Sequence, residues 1–248
     1  MTRVALISDM HGNAVAFDAV LAELEREPFD AVVSLGDVAQ GGPQPRDCVD
    51  RLRALGCRCV LGNSDEFLLT LDAGDDAPET PEELERLLDV GRWSAERLGD
   101  DGLEFLRSFE RTVEVSLDGG RTLLCCHGSP RSNEEIVLPE TTREDVERAT
   151  GADRPDVVAG GHVHLQWHRR VGETLWLCAG SVGLAYEHGV KPPRADRWAE
   201  YAVLEAEGER LRLEFRRVGY DVERMLAATA ASGRPHAEAW TAMWSAPG

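Results

Sequence analysis

The 248-residue chain carries 45 acidic and 27 basic side chains, a formal net charge of −18, which excludes a broad basic face for nucleic acid because phosphate neutralisation needs clustered Arg and Lys. No apolar run approaches the roughly 20 residues of a membrane-spanning helix, and the chain enters a strand at Arg3 without a signal-peptide pattern, so a cytoplasmic location is expected. The cysteines form no C-x-x-C pair, and Cys57, Cys59, Cys125 and Cys126 sit in apolar runs, which reads as buried free thiols and not as a disulfide framework or zinc ribbon.

The first strand leads to Asp9 and is followed by a helix whose apolar positions Phe17, Val20, Leu21 and Leu24 keep the i, i+3, i+4, i+7 spacing of a face packed on a sheet. Residues 30–35 read as the second strand, which leads to Asp37. After the Gly41-Gly42-Pro43 turn, a helix over roughly 46–55 is ended by Gly56. A third strand over 57–61 leads to Asn63, giving β-α-β-α-β.

Residues 64–111 break that alternation. Leu84, Leu87, Leu88, Ala95 and Leu98 lie at helical spacing, and Thr80-Pro81-Glu82-Glu83 supplies a cap, a proline at the first helical position and first-turn acids. The expectation is a helical insertion that covers the sheet and, emerging beside Asn63, forms a wall of any site there.

Strands resume over 112–117 and 121–126, joined by the hairpin turn Asp118-Gly119-Gly120. A helix over about 142–149 precedes the strand that ends at His162. Residues 174–178, 201–206 and 211–216 are expected as strands of a second sheet, and 221–231 as a closing helix. The expected organisation is one domain over 1–233 with the insertion at 64–111, followed by a weakly ordered C-terminal tail over 234–248.

Five apolar runs thus end on a metal-binding side chain: VALISD on Asp9, VVSLGD on Asp37, CRCVLGN on Asn63, TLLCCH on His127 and DVVAGGH on His162. Open α/β sheets place their ligands at the carboxyl edge of the strands. His11 and His164 each follow two residues after a member of this set, and in extended backbone an i, i+2 pair points the same way. Seven candidate metal ligands converge: Asp9, His11, Asp37, Asn63, His127, His162 and His164.

The blocks Asp9-Met10-His11-Gly12-Asn13, Gly36-Asp37, Gly62-Asn63, Cys126-His127-Gly128-Ser129 and Gly160-Gly161-His162-Val163-His164 resemble the five signature blocks of calcineurin-like metallophosphoesterases. The later Gly180-Ser181-Val182-Gly183 segment is similar to the small bacterial and archaeal phosphodiesterase-like branch. Each block alone is weak; their order and strand-end context carry the resemblance. It implies an α/β fold, a four-layer α/β/β/α sandwich. It also implies two divalent transition-metal ions, one held by Asp9, His11, Asp37 and His164 and the other by Asp37, Asn63, His127 and His162, with Asp37 bridging.

Mixed oxygen and imidazole ligands suit Mn, Fe, Zn, Co or Ni better than calcium, and manganese is included among the expected metals. The implied chemistry is hydrolysis of a small or nucleotide-like phosphodiester by a hydroxide held between the ions, with Asp37, Asn63 and His127 as the catalytic set. The alternatives are a phosphomonoesterase such as a phosphoprotein phosphatase, a dinucleoside polyphosphate hydrolase, and a non-catalytic protein-binding scaffold of the same fold. Retention of all seven ligands speaks against the scaffold. The expected partner is a small-molecule phosphoester, with no stable nucleic-acid binding and no membrane; oligomerisation is left open.

Around the ligands, Asn13 either hydrogen-bonds a phosphate oxygen or caps the following helix. Arg131, with Arg194 or Arg197, is a candidate phosphate contact, although most arginines are merely solvated. Gly128, Gly161, Gly180 and Gly183 are expected to serve tight turns. Many members of the resembled superfamily have a histidine after Gly-Asn as a proposed acid for the leaving group; Ser64 stands there in this chain. Ser64-Asp65-Glu66 reads as an N-cap followed by acids suited to the helix dipole. His168 and His188 are the substitutes to consider. Lacking that acid, a diester whose leaving group departs with little help is the expected substrate.

Overall fold

The computed structural model describes residues 1–74, 77–152, 154–186 and 194–244. Its elements in chain order are β1 (Thr2–Ile7), α1 (Ala14–Leu24), β2 (Ala31–Ser34), α2 (Pro45–Leu55), β3 (Arg58–Cys59), α3 (Asn63–Thr70), α4 (Pro81–Arg107), β4 (Val113–Leu117), β5 (Arg121–Cys125), α5 (Arg143–Thr150), β6 (Val157–Gly160), β7 (Gln166–Val171), β8 (Thr174–Ala179), β9 (Trp198–Glu207), β10 (Arg210–Gly219), α6 (Val222–Ser232) and α7 (Ala237–Ala242). No helix among the described residues is long and apolar enough to cross a membrane.

Alternation along the strands sets the layers. In β1, Val4 and Leu6 join Val33, Leu123, Val157, Leu177 and Leu204 in a core between two sheets. The intervening Ala5 and Ile7 face Phe17, Val20, Cys48 and Leu52 of α1 and α2. The second sheet buries its outer face, with Trp167 and Trp176, under Val146 and Ala149 of α5. This is the four-layer α/β/β/α sandwich, and strands apolar on both faces explain the continuous apolar runs in the sequence.

The sheet orders are β10-β9-β1-β2-β3 and β4-β5-β6-β8-β7. They correct the expected assignment of 174–178, 201–206 and 211–216 to one second sheet. β8 pairs parallel with β6, whereas β9 runs antiparallel to β1, with Val4 opposite Leu204, and carries β10 outside it. The ligand-bearing strand ends therefore come from both sheets: β1, β2 and β3 from one, β5 and β6 from the other.

The insertion packs as α3 against α4, where Phe67 lies against Gly91; a Cβ at Gly91 would run into the ring. Among the described residues after Gly233, helix α7 and the turn that follows it dock Trp240 and Trp244 on Val15, Val222 and Met225. The Arg234 side chain donates to Gly41 O, tying this segment to the loop beside His11.

Candidate metal centre

The residues after β1, β2 and β6 leave extended geometry at once. Asp9, His11, Asp37, His162 and His164 have φ of 56°, 44°, 58°, 66° and 53°, a left-handed conformation uncommon outside glycine. The i, i+2 pairs thus converge through tight left-handed turns and not through strand alternation. Main-chain bonds lock these turns together: Asp9 N donates to Gly36 O and His11 N to Asp37 O, both at 2.9 Å. From the far end of the chain, Val182 N donates to Ser8 O, Gly183 N to Asp9 O, and Ser181 Oγ to Asp9 O at 2.8 Å. The Gly180 segment therefore braces the first ligand turn.

Two clusters result, Asp9–His11–His164 and Asp9–Asp37–His127, each with its potential ligand atoms within 4.8 Å of one another. In the first, His164 Nε2 is 3.2 Å from Asp9 Oδ1 and 3.0 Å from His11 Nε2. In the second, His127 Nε2 lies 3.4 Å from Asp37 Oδ2 and 2.9 Å from Asn63 Oδ1. Asn63 Oδ1 is also 3.2 Å from His162 Nδ1. Asp9 belongs to both clusters, and Asp37 Oδ2, of the second, lies 3.6 Å from His11 Nε2 of the first. All seven sequence candidates are brought together.

The donor set fits a cation on an observation of its own. His11, His127 and His164 each present Nδ1 to a main-chain carbonyl, Gln40 O, Leu35 O and Leu184 O, at 2.9, 2.7 and 2.7 Å. Such bonds place the proton on Nδ1 and aim the Nε2 lone pairs inward, at one another and at carboxylate and amide oxygens. Asp9 Oδ1 is buried with no hydrogen-bond partner. A buried focus of carboxylate oxygens and imidazole nitrogens, with one carboxylate oxygen left unpartnered, is what a metal ion satisfies.

In the metal-free chain protons take the place of a cation at these groups. Burial opposes charge on Asp9, yet His164 holds it below the usual carboxylate range; burial likewise opposes charge on Asp37, and His127, His11 and Ser64 hold it far below. Burial alone would lower His127, but the Asp37 carboxylate pushes it up to about 10. Burial and the neighbouring His164 lower His11.

Helix α3 supplies the support. Its N-cap is Gly62, not Ser64, and a Cβ at Gly62 would collide with the Asp37 carboxylate. Ser64 is the second helical residue. Its N–H donates to Asp37 Oδ1 at 2.9 Å and its hydroxyl to Asp37 Oδ2 at 2.8 Å. Asp65 is fully buried, and sequence reasoning missed its task. It accepts from Asp37 N at 2.8 Å, Val38 N at 2.9 Å and Gly62 N at 3.2 Å, fixing the left-handed turn at Asp37. The sequence signal was a capping-box acid at the third helical position.

Other expected contacts are corrected. Asn13 is buried; its Oδ1 accepts from Ala16 N to cap α1, and its amide donates to Gly183 O at 2.9 Å. Of the two readings offered by the sequence, these bonds support the helix cap. Arg131 is paired with Glu135, Nε to Oε2 at 2.8 Å, and Arg197 pairs with Glu223. His168 is exposed on β7, stacked against Phe215, so it serves no ligand turn. His188 lies outside the described residues. Arg194 is exposed.

The profile of the Calcineurin-like phosphoesterase superfamily domain matches residues 2–209. The chain is 26% identical over 235 residues to an uncharacterized protein, MJ0912, of Methanocaldococcus jannaschii, covering 89% of each. It resembles the crystal structure of a metallophosphoesterase from Sphaerobacter thermophilus with a TM-score of 0.72 and 26% identity over 98% of both chains. It is 28% identical over 151 residues to the symmetrical bis(5'-nucleosyl)-tetraphosphatase of Erwinia tasmaniensis, and spans about half of that relative, 52%. With the two-sheet sandwich, the converging carboxylates and imidazoles and a profile match across most of its length, the chain belongs to the calcineurin-like phosphoesterase superfamily.

Proposed function

We propose that the protein is a dinuclear, divalent-metal-dependent phosphodiesterase. The observation that supports this reading is the convergence of imidazole nitrogens and carboxylate oxygens in two clusters that share Asp9, with Asp37 Oδ2 within 3.6 Å of His11 Nε2 and 3.4 Å of His127 Nε2. Asp9, His11, Asp37 and His164 would hold one ion and Asp37, Asn63, His127 and His162 the other; Mn, Fe, Zn, Co and Ni all suit such donors. Bound there, the ions supply Lewis-acid charge for the phosphoryl oxygens and a nucleophile at neutral pH. The chain's own residues do the rest. Three main-chain carbonyls keep the imidazoles in the ligating tautomer, and Ser64 and Asp65 fix the carboxylate and backbone of Asp37.

The preference for a diester comes from Ser64. Its hydroxyl is engaged with Asp37, and a serine hydroxyl is too weak an acid to protonate a departing alkoxide. A diester also brings one negative charge where a monoester brings up to two, an advantage on a chain of net charge −18. Hydrolysis of a dinucleoside tetraphosphate, the activity for which the Erwinia relative is named, is the second reading, favoured by that partial match. The test is an assay of metal-loaded protein on bis(p-nitrophenyl) phosphate, p-nitrophenyl phosphate and a dinucleoside tetraphosphate. The first is expected to be cleaved with the highest kcat/KM. Preference for either of the others overturns the diester reading, and protein that binds no metal overturns the enzymatic one.

A further inference from the structure

Beside the ligands opens a cleft of about 350 Å³, within the size range of small-molecule sites. It begins at Asn63 and Ser64 and runs between α3 and α4, where Phe67 and Leu87 supply apolar surface. Among the described residues, every charged side chain that lines it is acidic: Glu66, Asp72 and Glu134. Glu66 is held by Arg111 at 2.7 Å and by Asn133 at 2.8 Å. Asp72 Oδ1 accepts from Gly74 N at 3.2 Å, and a Cβ at Gly74 would meet the Glu134 carboxylate, so Glu134, from the segment after β5, lies against the turn that carries Asp72.

We infer that this cleft receives one organic substituent of the phosphodiester, and that it selects cationic or hydroxyl-rich groups over groups carrying a second phosphate. The inference rests on the phosphodiesterase reading. Its geometric basis is continuity. Ser64 both lines the cleft and touches Asp37, so a phosphoryl group seated at the ligands directs an ester substituent along α3. Its chemical basis is the lining. Ammonium and hydroxyl donors meet carboxylate acceptors there, and Phe67 and Leu87 take the carbon skeleton. A second phosphate would meet carboxylates, with no lysine or arginine among the described lining residues to neutralise it.

The experiment compares kcat/KM of metal-loaded protein for the p-nitrophenyl ester of thymidine 5′-phosphate with and without a 3′-phosphate, together with p-nitrophenyl phosphorylcholine. Bis(p-nitrophenyl) phosphate is the reference. At low ionic strength the 3′-phosphorylated ester is expected to be at least about tenfold poorer than its parent, and the choline ester at least as good as the parent. High salt narrows the gap, because exposed charges are screened. The double variant Asp72→Asn/Glu134→Gln should close most of it, while the amide introduced in place of the Asp72 carboxylate keeps an acceptor for Gly74 N.

If bis(p-nitrophenyl) phosphate is cleaved but the 3′-phosphate makes no difference, or the double variant leaves the gap intact, the cleft assignment is overturned and the phosphodiesterase reading stands. If fully metal-loaded protein cleaves no diester, that reading falls and the cleft assignment falls with it.

Discussion

His11 and His164 bring their Nε2 atoms to 3.0 Å of each other, while a main-chain carbonyl holds the Nδ1 of each, Gln40 O for His11 and Leu184 O for His164. The two Nε2 atoms share one proton in the metal-free chain: burial and His164 lower His11, while Asp9, against the effect of burial, raises His164. Five of the candidate ligand residues also sit in left-handed backbone, local strain of the kind that functional sites store.

Metal binding should therefore stabilise the fold strongly. At a free metal concentration about a hundredfold above Kd the gain is about 2.7 kcal/mol, which for a chain of this length raises Tm by roughly 5–10 °C. Thermal melts of chelator-treated protein with and without manganese or zinc measure it. A companion variant sharpens the sign: metal-free His11→Gln should be no less stable than metal-free wild type, yet gain less from metal. An unchanged Tm with the ion shown bound by elemental analysis would contradict the strain account.

Asp37 Oδ2 lies 3.6 Å from His11 Nε2 of one cluster and 3.4 Å from His127 Nε2 of the other. Asp9 Oδ1 sits at His164 and His11, 3.2 and 3.8 Å from their Nε2 atoms. Removing the charge from Asp37 should thus deprive both ions, and removing it from Asp9 mainly one. Asp37→Asn is expected to retain well under one ion per chain, Asp9→Asn about one, with the larger loss of activity in Asp37→Asn. Equal retention of both ions by the two variants would show that Asp37 does not bridge.

Trp240 and Trp244 turn the region after Gly233 into part of the structure. Trp240 is 3% exposed, its ring 5.0 Å from Trp244 and its Nε1 3.4 Å from Met225 Sδ. Truncating a buried aromatic of this kind costs about 3–5 kcal/mol, so Trp240→Ala should lower Tm by roughly 6–20 °C. Ending the chain at Gly233 should cost at least as much. It should also reduce metal retention, because Arg234 braces Gly41 beside the Gln40 carbonyl that orients His11. A shortened chain that melts with wild type would refute this docking.

The candidate ligand set is legible in the sequence because β1, β2, β5 and β6 all end on buried residues, and each apolar run carries on two or three residues past its strand to Asp9, Asp37, His127 and His162. Sheet membership is not legible. The pairing of Val4 with Leu204 joins opposite ends of the chain, and period-two alternation fits either sheet. The left-handed turns at Asp9 and His11 carry no glycine to announce them. Asp65 looks like an ordinary first-turn acid until the loop after β2 is folded against it, and Asn13 and Arg131 find partners in Gly183 and Glu135 that no local pattern names. α7 is too short for periodicity, leaving Trp240 and, two residues past the helix, Trp244 as the hint of packing.

Ser64 separates two ways of losing activity. Ser64→Ala removes the hydroxyl from Asp37 Oδ2 but keeps the Ser64 N–H on Oδ1, and one lost bond to a buried carboxylate is worth about 1.5–3 kcal/mol. A loss of roughly tenfold or more in kcat/KM is expected, uniform across leaving groups, since the effect runs through Asp37. A leaving-group acid behaves otherwise: it contributes about 10²–10⁴ and matters most for poor leaving groups. Without one, wild type should show a steep fall of kcat/KM with rising leaving-group pKa across a series of aryl diesters, and should cleave activated diesters better than alkyl monoesters. Ser64→His should flatten that slope wherever its imidazole reaches the leaving oxygen, even if the absolute rate on the best substrate falls. A flat wild-type series with chemistry rate-limiting, or a clear monoester preference, would place an acid elsewhere and remove Ser64 from the account of specificity.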